Sequence, residues 1–319
     1  MSTLMLVTDG VKKPLSTALY YGLRSLPIKA LFARQLAQPM RGNKALQPEK
    51  FRPDTEVFVR HSAASSITTI HSLSPKARSD AHIIYLHGGG YAMQALFFHR
   101  RFAEKLAIRT GCTVSLLDFP LPPQAQCIET VCAVMRMYKA ISLLYRQHRL
   151  ILMGDSAGGG LAISLVQKLL QIPANNPAGK IKDVRAPDSI ILYSPWMDIR
   201  LAHPEIEAHY AKKEAILSLP ALRRAGLRYA NGLAPDDPRC SPLCGQMEGL
   251  GRIQIFISED ELFYPDARRF YEQGQQAEGT EIEMIMEKRR LHCWPLLGPA
   301  FEQENNFRQM TRFCGLEAG

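Results

Sequence analysis

Leu150-Ile151-Leu152-Met153 runs into Gly154-Asp155-Ser156-Ala157-Gly158-Gly159-Gly160, and then into Leu161-Ala162-Ile163-Ser164-Leu165-Val166-Gln167-Lys168-Leu169-Leu170. An apolar run of strand length, a G-x-S-x-G turn and a helix-forming run make one strand–turn–helix unit. To leave the strand and enter the helix within a few residues, the chain must hold Ser156 in a strained backbone conformation. Gly154 and Gly158, two residues to either side, remove side chains that would collide there. The product is a serine hydroxyl at the mouth of a sheet, beside a helix N-terminus that favours negative charge. A bare G-x-S-x-G also describes an ordinary glycine-rich turn, so the reading depends on the rest of the chain.

Outward from this unit, continuous apolar runs alternate with helical spans. The strands read as residues 83–86, 113–117, 150–153, 189–193, 253–257 and 282–286, and the helices as about 98–110, 126–146, 158–171, 219–230 and 264–277. Buried strands alternating with helices predict an α/β fold with a mostly parallel central sheet flanked by helices on both faces. Ligands on such sheets bind beyond the carboxyl ends of the strands. Residues 56–60 and 67–70 are β-branched and alternating, which suits an antiparallel pair at one edge. Residues 197–250 carry helix but no strong strand, and read as a helical insertion over the sheet end. Residues 1–50 differ from the rest. Leu15, Leu19, Leu23 and Leu26, then Ile28, Leu31, Phe32 and Leu36, recur at helical spacing around Pro27, among many basic residues. This predicts an N-terminal helical cap segment at 1–50, a lid over the site, ahead of a catalytic domain at 51–319. Plain packing on the main body and contact with a membrane surface are the competing readings of the same segment.

The 319 residues suffice for a large core, and 46% hydrophobic with 22% charged residues is ordinary for a globular protein. No apolar run reaches the length of a membrane span, and Asp9, Lys12, Lys13 and Pro14 interrupt any secretory h-region. The expectation is a cytoplasmic protein without stable membrane insertion. The seven cysteines are scattered without a C-x-x-C pair, so neither a zinc site nor a redox pair is expected. The net charge of +9 is spread along the chain, its densest run being Lys288-Arg289-Arg290. A solvated surface, and no nucleic-acid groove, is the expectation.

The first buried strand ends in His87-Gly88-Gly89-Gly90-Tyr91. Backbone N–H groups there, with that of Ala157, are placed to hold an oxyanion. No Lys-Ser/Thr follows the glycines and no G-x-G-x-x-G is present, which excludes a P-loop and a dinucleotide fingerprint. A serine nucleophile needs a base, and the base needs an orienting acid, in the order Ser, acid, His on sheets of this type. Residues 253–257 lead into Ser258-Glu259-Asp260-Glu261-Leu262, and residues 282–286 into Leu291-His292-Cys293-Trp294. His292 is the only histidine downstream of the acidic cluster, which marks it as the base. Asp260 is read as the acid, with Glu259 and Asp266 as rivals.

The pairing of His-Gly-Gly-Gly-Tyr at 87–91 with Gly-Asp-Ser-Ala-Gly-Gly at 154–159 resembles the hormone-sensitive lipase family of α/β-hydrolases, which includes many bacterial carboxylesterases. Ser194-Pro195-Trp196-Met197-Asp198, the stretch 237–243, and Asp260-Glu261-Leu262 with Asp266 carry the likeness further, from about residue 80 to the C-terminus. The resemblance implies an α/β-hydrolase fold with an α-helical cap and a triad of Ser156, Asp260 and His292. It also implies an oxyanion hole of Gly89, Gly90 and Ala157 shaped by Gly88, and hydrolysis of short- to medium-chain acyl esters through an acyl-enzyme. Asp155 and Gly159 are then motif positions without a catalytic role of their own. A small-molecule ester is the implied substrate, and no metal or organic cofactor is needed. Acyl transfer by the same triad, and a non-catalytic protein that binds a small ligand in the same pocket, are the alternatives. Two departures stand out: Phe119-Pro120-Leu121-Pro122-Pro123-Gln124 lacks the family's usual Arg and Glu, and Ser258 replaces a usual Gly before the acid.

Overall fold

The computed structural model describes residues 5–8, 21–22, 26–38, 44–62, 64–74, 79–172, 184–297 and 304–316. Among the described residues nine strands form one sheet: β1 (Met5–Thr8), β2 (Thr55–Ser62), β3 (Ser65–Ser72), β4 (Ala81–Leu86), β5 (Thr113–Asp118), β6 (Arg149–Asp155), β7 (Ser189–Tyr193), β8 (Gly251–Ser258) and β9 (Thr280–Glu287). Their spatial order is β1-β9-β8-β7-β6-β4-β5-β3-β2. The strands from β4 to β9 pair in parallel, whereas β3 runs antiparallel to both β5 and β2. Every residue of β4, β5 and β7 is buried, which is why these strands read as unbroken apolar runs rather than alternating ones. The edge strand β2 alternates partly buried and exposed positions over its first half, as a strand with one solvated face must.

Among the described residues, seven helices of ten or more residues pack with the sheet: α1 (Ile28–Ala37), α2 (Phe97–Thr110), α3 (Cys127–Leu144), α4 (Ala157–Leu170), α5 (Leu219–Ala230), α6 (Tyr264–Gly274) and α7 (Glu304–Phe313). Side chains of one strand alternate between two cores. Ile84 and Leu86 join Val134, Leu161 and Phe270 from α3, α4 and α6, while Ile83 and Tyr85 join Phe102, Leu106 and Met310 from α2 and α7. The sheet is therefore covered on both faces, as the strand–helix alternation predicts.

The N-terminal segment differs in one respect from the helical cap expected at 1–50. Met5–Thr8 forms an edge strand parallel to β9, because the exposed edge of β9 offers backbone partners that a four-residue run can take without an amphipathic pattern of its own. The repeat beginning at Leu15 falls almost wholly outside the described residues. The second repeat forms α1, which packs on α5 of the inserted segment. Leu36 is 2% exposed, its carbonyl accepts from Arg228 Nη2 at 2.6 Å, and Lys29 Nζ donates to the Ala211 carbonyl at 2.9 Å. The Leu36 side chain reaches the glycine loop after β4: a Cβ on Gly90 would lie 2.7 Å from its Cδ2.

Leu36→Ala removes the apolar contact between α1, the glycine loop and α5. Its expected cost is about 2–3 kcal/mol, read as a lower urea midpoint. An unchanged midpoint would mean that α1 does not dock there.

Candidate active site

Ser156 follows β6 and caps α4 with φ 52° and ψ −122°, a backbone conformation that costs a non-glycine residue about 1–3 kcal/mol. The surroundings over-determine it. A Cβ on Gly154 would lie 2.4 Å from the Gly158 carbonyl oxygen, and one on Gly158 would lie 2.2 Å from that of Leu86. Only bare backbone fits at both positions. Ser156 N–H donates to the Tyr193 carbonyl at 2.9 Å, and the Ser156 carbonyl accepts from Trp196 N–H at 2.9 Å, which ties the turn to the end of β7.

The preceding residue, Asp155, binds this turn to the glycine loop. Its buried carboxylate accepts from the Tyr85 hydroxyl at 2.7 Å, from Gly88 N–H at 3.0 Å and from His99 Nε2 at 3.3 Å. Burial opposes its ionisation, but His99, Tyr85 and Gly88 outweigh this and hold the carboxyl below the usual range. The Gly88 amide is thereby committed to Asp155 and does not face an incoming oxygen. Gly88 shapes the loop instead. Gly89 and Gly90 continue it with φ of 119° and 61°. Among the described residues the amides of Gly89, Gly90 and Ala157 have no acceptor, so all three remain available to an incoming oxygen.

His292 follows β9 and is 9% exposed. Its Nδ1 lies 2.7 Å from Glu261 Oε2. Since a carboxylate can only accept there, Nδ1 carries the proton and Nε2 is left with its lone pair free to accept. The ring stands edge-on to Phe263 with centroids 5.1 Å apart. Burial works against the imidazolium, yet the hydrogen bond and charge of Glu261, joined by the charges of Glu214 and Asp155, lift His292 above its ordinary pKa.

The carboxylate on the histidine is therefore Glu261, and the sequence expectation of Asp260 is corrected. Asp260 turns outward, where Oδ2 accepts from Arg289 N–H at 2.7 Å and Oδ1 lies 3.8 Å from Lys213. Glu259 faces Lys288 at 3.9 Å. Asp266 is buried in the first turn of α6, with Arg269 Nη1 at 3.6 Å. The physical reason is the turn after β8, in which successive side chains point in different directions. Glu261 folds back, its Oε1 accepting from Ser258 N–H and from Ser194 Oγ, both at 2.8 Å. The signal for this was Ser258-x-x-Glu261, a pattern in which the acid reaches back to the amide three residues earlier. Ser258 also resolves the departure noted there: its hydroxyl accepts from Arg290 N–H at 3.2 Å and so stitches the acid turn to the histidine loop. The other departure is stabilised by ring stacking, Phe119 on His87 at 4.4 Å and 7°, and by Thr130 Oγ1 donating to the Pro120 carbonyl at 2.8 Å.

Ser156, His292 and the glycine loop thus lie just beyond the carboxyl ends of β6, β9 and β4. In this resting arrangement Ser156 Oγ is not hydrogen-bonded to His292 Nε2, which lies 3.4 Å from Cys293 Sγ. Such hydrogen bonds often tighten only with substrate in place. Ser156 is 7% exposed. Among the described residues no group of three or more His, Cys, Asp or Glu side chains is placed to hold a metal ion.

A family model for the alpha/beta hydrolase fold matches residues 83–296. An esterase of Acinetobacter venetianus is 31% identical over 209 residues, 65% of this chain and 65% of its own, so the match spans just under two thirds of that relative. An acetyl-hydrolase of Streptomyces hygroscopicus is 30% identical over 233 residues, 71% of this chain and 73% of its own. Among solved structures, an esterase from the bacterial hormone-sensitive lipase family superposes with a TM-score of 0.73 at 22% identity, covering 95% of this chain and 97% of that one. At that identity the likeness speaks for the fold.

Two measurements follow from the geometry. Glu261→Gln should lower the His292 pKa seen by imidazole NMR, whereas Asp260→Asn should leave it within a few tenths of a unit; the reverse ranking would return the acid to Asp260. Asp266, whose oxygens have no hydrogen-bond partner among the described residues, is pushed up to about 7, first by burial and then by Asp198. A carboxyl that ionises near 4 unfolded and near 7 folded makes the protein lose stability as pH rises between those values. Asp266→Asn should therefore shrink the fall in Tm between pH 5 and pH 8, and an undiminished fall would contradict this origin.

Proposed function

The chain belongs to the α/β-hydrolase fold family, and we propose that it is a serine carboxylesterase that hydrolyses short-chain acyl esters through an acyl-enzyme. The observation that carries this reading is the convergence of Ser156 on its strained turn, the Glu261–His292 pair at 2.7 Å and three amides without acceptors. In the reaction, Ser156 Oγ attacks the ester carbonyl carbon and His292 Nε2 takes its proton. The amides of Gly89, Gly90 and Ala157 receive the negative charge on the carbonyl oxygen. His292 then gives the proton to the departing alcohol oxygen, leaving the acyl group on Ser156. Water enters, His292 takes its proton, and collapse of the second tetrahedral intermediate releases the acid and restores the serine. Glu261 fixes the tautomer and stabilises the imidazolium without accepting the proton.

Short acyl groups are favoured by the apolar roof of Leu36 and Leu222 over Gly90, with α1 and the inserted segment forming the cap. The name of the Streptomyces relative, an acetyl-hydrolase, points the same way. No helix among the described residues is long and apolar enough to cross a membrane. A reducing compartment suits the seven free cysteines, five of them buried.

Turnover of a chromogenic acetyl or butyryl ester tests the reading. Ser156→Ala should abolish hydrolysis, and Glu261→Gln should lower kcat by about 10⁴-fold. The acid limb of kcat/KM should lie above about 6.5, because Glu261 raises the pKa of His292 and the imidazole must be neutral to act. Most activity surviving in Ser156→Ala, or an acid limb that is flat, would remove this serine or this base from the mechanism.

A further inference from the structure

A second buried carboxylate stands behind the acid–histidine pair. Glu214 lies in the inserted segment between the short helix Ala211–Lys213 and α5, and is 3% exposed. Its Oε1 accepts from Ile216 N–H at 2.8 Å and Leu217 N–H at 3.2 Å, and its Oε2 accepts from Leu262 N–H at 3.2 Å. Leu262 is the residue after Glu261. One side chain therefore organises its own loop and grips the turn that carries the acid. A second contact runs alongside: Ala215, next to Glu214, packs against Leu291, next to His292. The same segment is tied to α1 through Lys29 on the Ala211 carbonyl.

We propose that Glu214 is a positioning residue for the Glu261–His292 pair, coupling the inserted segment over the sheet end to the geometry and protonation of that pair. The inference rests on the esterase reading above, and adds a residue that touches neither the substrate nor the reacting atoms. Leu262 N–H, buried at the base of the turn, would lose its acceptor without Glu214, and the turn would be free to re-aim Glu261. A misplacement of about 1 Å at a reacting group can cost about 10²-fold in rate. The charge of Glu214 also favours the imidazolium. The groups facing His292 are Glu261 from the acid turn, Glu214 from the inserted segment, Asp155 from the end of β6, and the Cys293 thiol from its own loop.

The experiment is steady-state hydrolysis of a short acyl ester by the full chain across pH, with Tm measured on each variant. Glu214→Ala should lower kcat by about 10²-fold while KM changes less than about threefold. Glu214→Gln keeps the volume and one accepting oxygen but removes the charge. It should retain a Tm within a few degrees of the parent and move the acid limb of kcat/KM to lower pH by about half a unit. An Ala variant within twofold of the parent kcat overturns the proposal. So does a Gln variant whose acid limb does not move, since a purely structural role would alter Tm and leave the limb in place. Glu261→Gln, assayed in parallel, separates the two readings. If it stays active, the triad itself fails; if it is inactive while both Glu214 variants behave as the parent, only the positioning role fails.

Discussion

The structure turns on the contact between backbone and backbone at Gly154 and Gly158. There the end of β6 and the start of α4 come so close that a single methyl group would lie 2.4 Å from a carbonyl oxygen. That closeness leaves Ser156 no relaxed conformation and fixes it at φ 52°. The strain is local and the packing that sustains it is distributed over β4, β6 and β7. A parallel sheet buried on both faces can hold such a turn rigidly, because its carboxyl ends are the one place where loops from several strands converge.

Around that turn the polar groups are buried and connected rather than solvated. Asp155 joins the serine turn to the glycine loop, with Tyr85 and His99 completing its acceptor sites. Glu261 joins β8 to β9 through His292 and to β7 through Ser194. Each carboxylate accepts at least three hydrogen bonds or ring contacts. This is the condition under which burying a charge costs little relative to leaving a donor unsatisfied. The consequence is that two buried carboxylates, one on the serine turn and the glycine loop and the other on the histidine, hold these loops in place. The apolar roof above them, Leu36 on the glycine loop, comes from a helix more than fifty residues away in sequence.

Much of this is legible in the amino-acid sequence alone. The buried strands announced themselves as unbroken apolar runs, and the glycines around Ser156 and after β4 marked the two places where backbone must approach backbone. His292, the only histidine after the acidic cluster, was singled out by that position, and it is the residue paired with Glu261. What the sequence concealed has physical causes. Glu259, Asp260 and Glu261 are adjacent and chemically alike, and only the direction of each side chain in a tight turn decides which meets the imidazole. Met5–Thr8 became a strand because β9 had an edge to offer, a tertiary fact with no local signature. The helix Glu304–Phe313 went unread although Phe307, Met310 and Phe313 carry its buried stripe. The commitment of the Gly88 amide to Asp155 depends on a contact between residues 67 apart.

The central claim is that the fold makes one hydroxyl reactive. The direct measurement is labelling with an organophosphonate ester, followed by mass spectrometry of the proteolysed chain. Expected is one phosphonyl group per chain, on the peptide that contains Ser156, forming more slowly as pH falls and His292 becomes protonated. A chain that stays unlabelled, or a label found on any other residue, would contradict it.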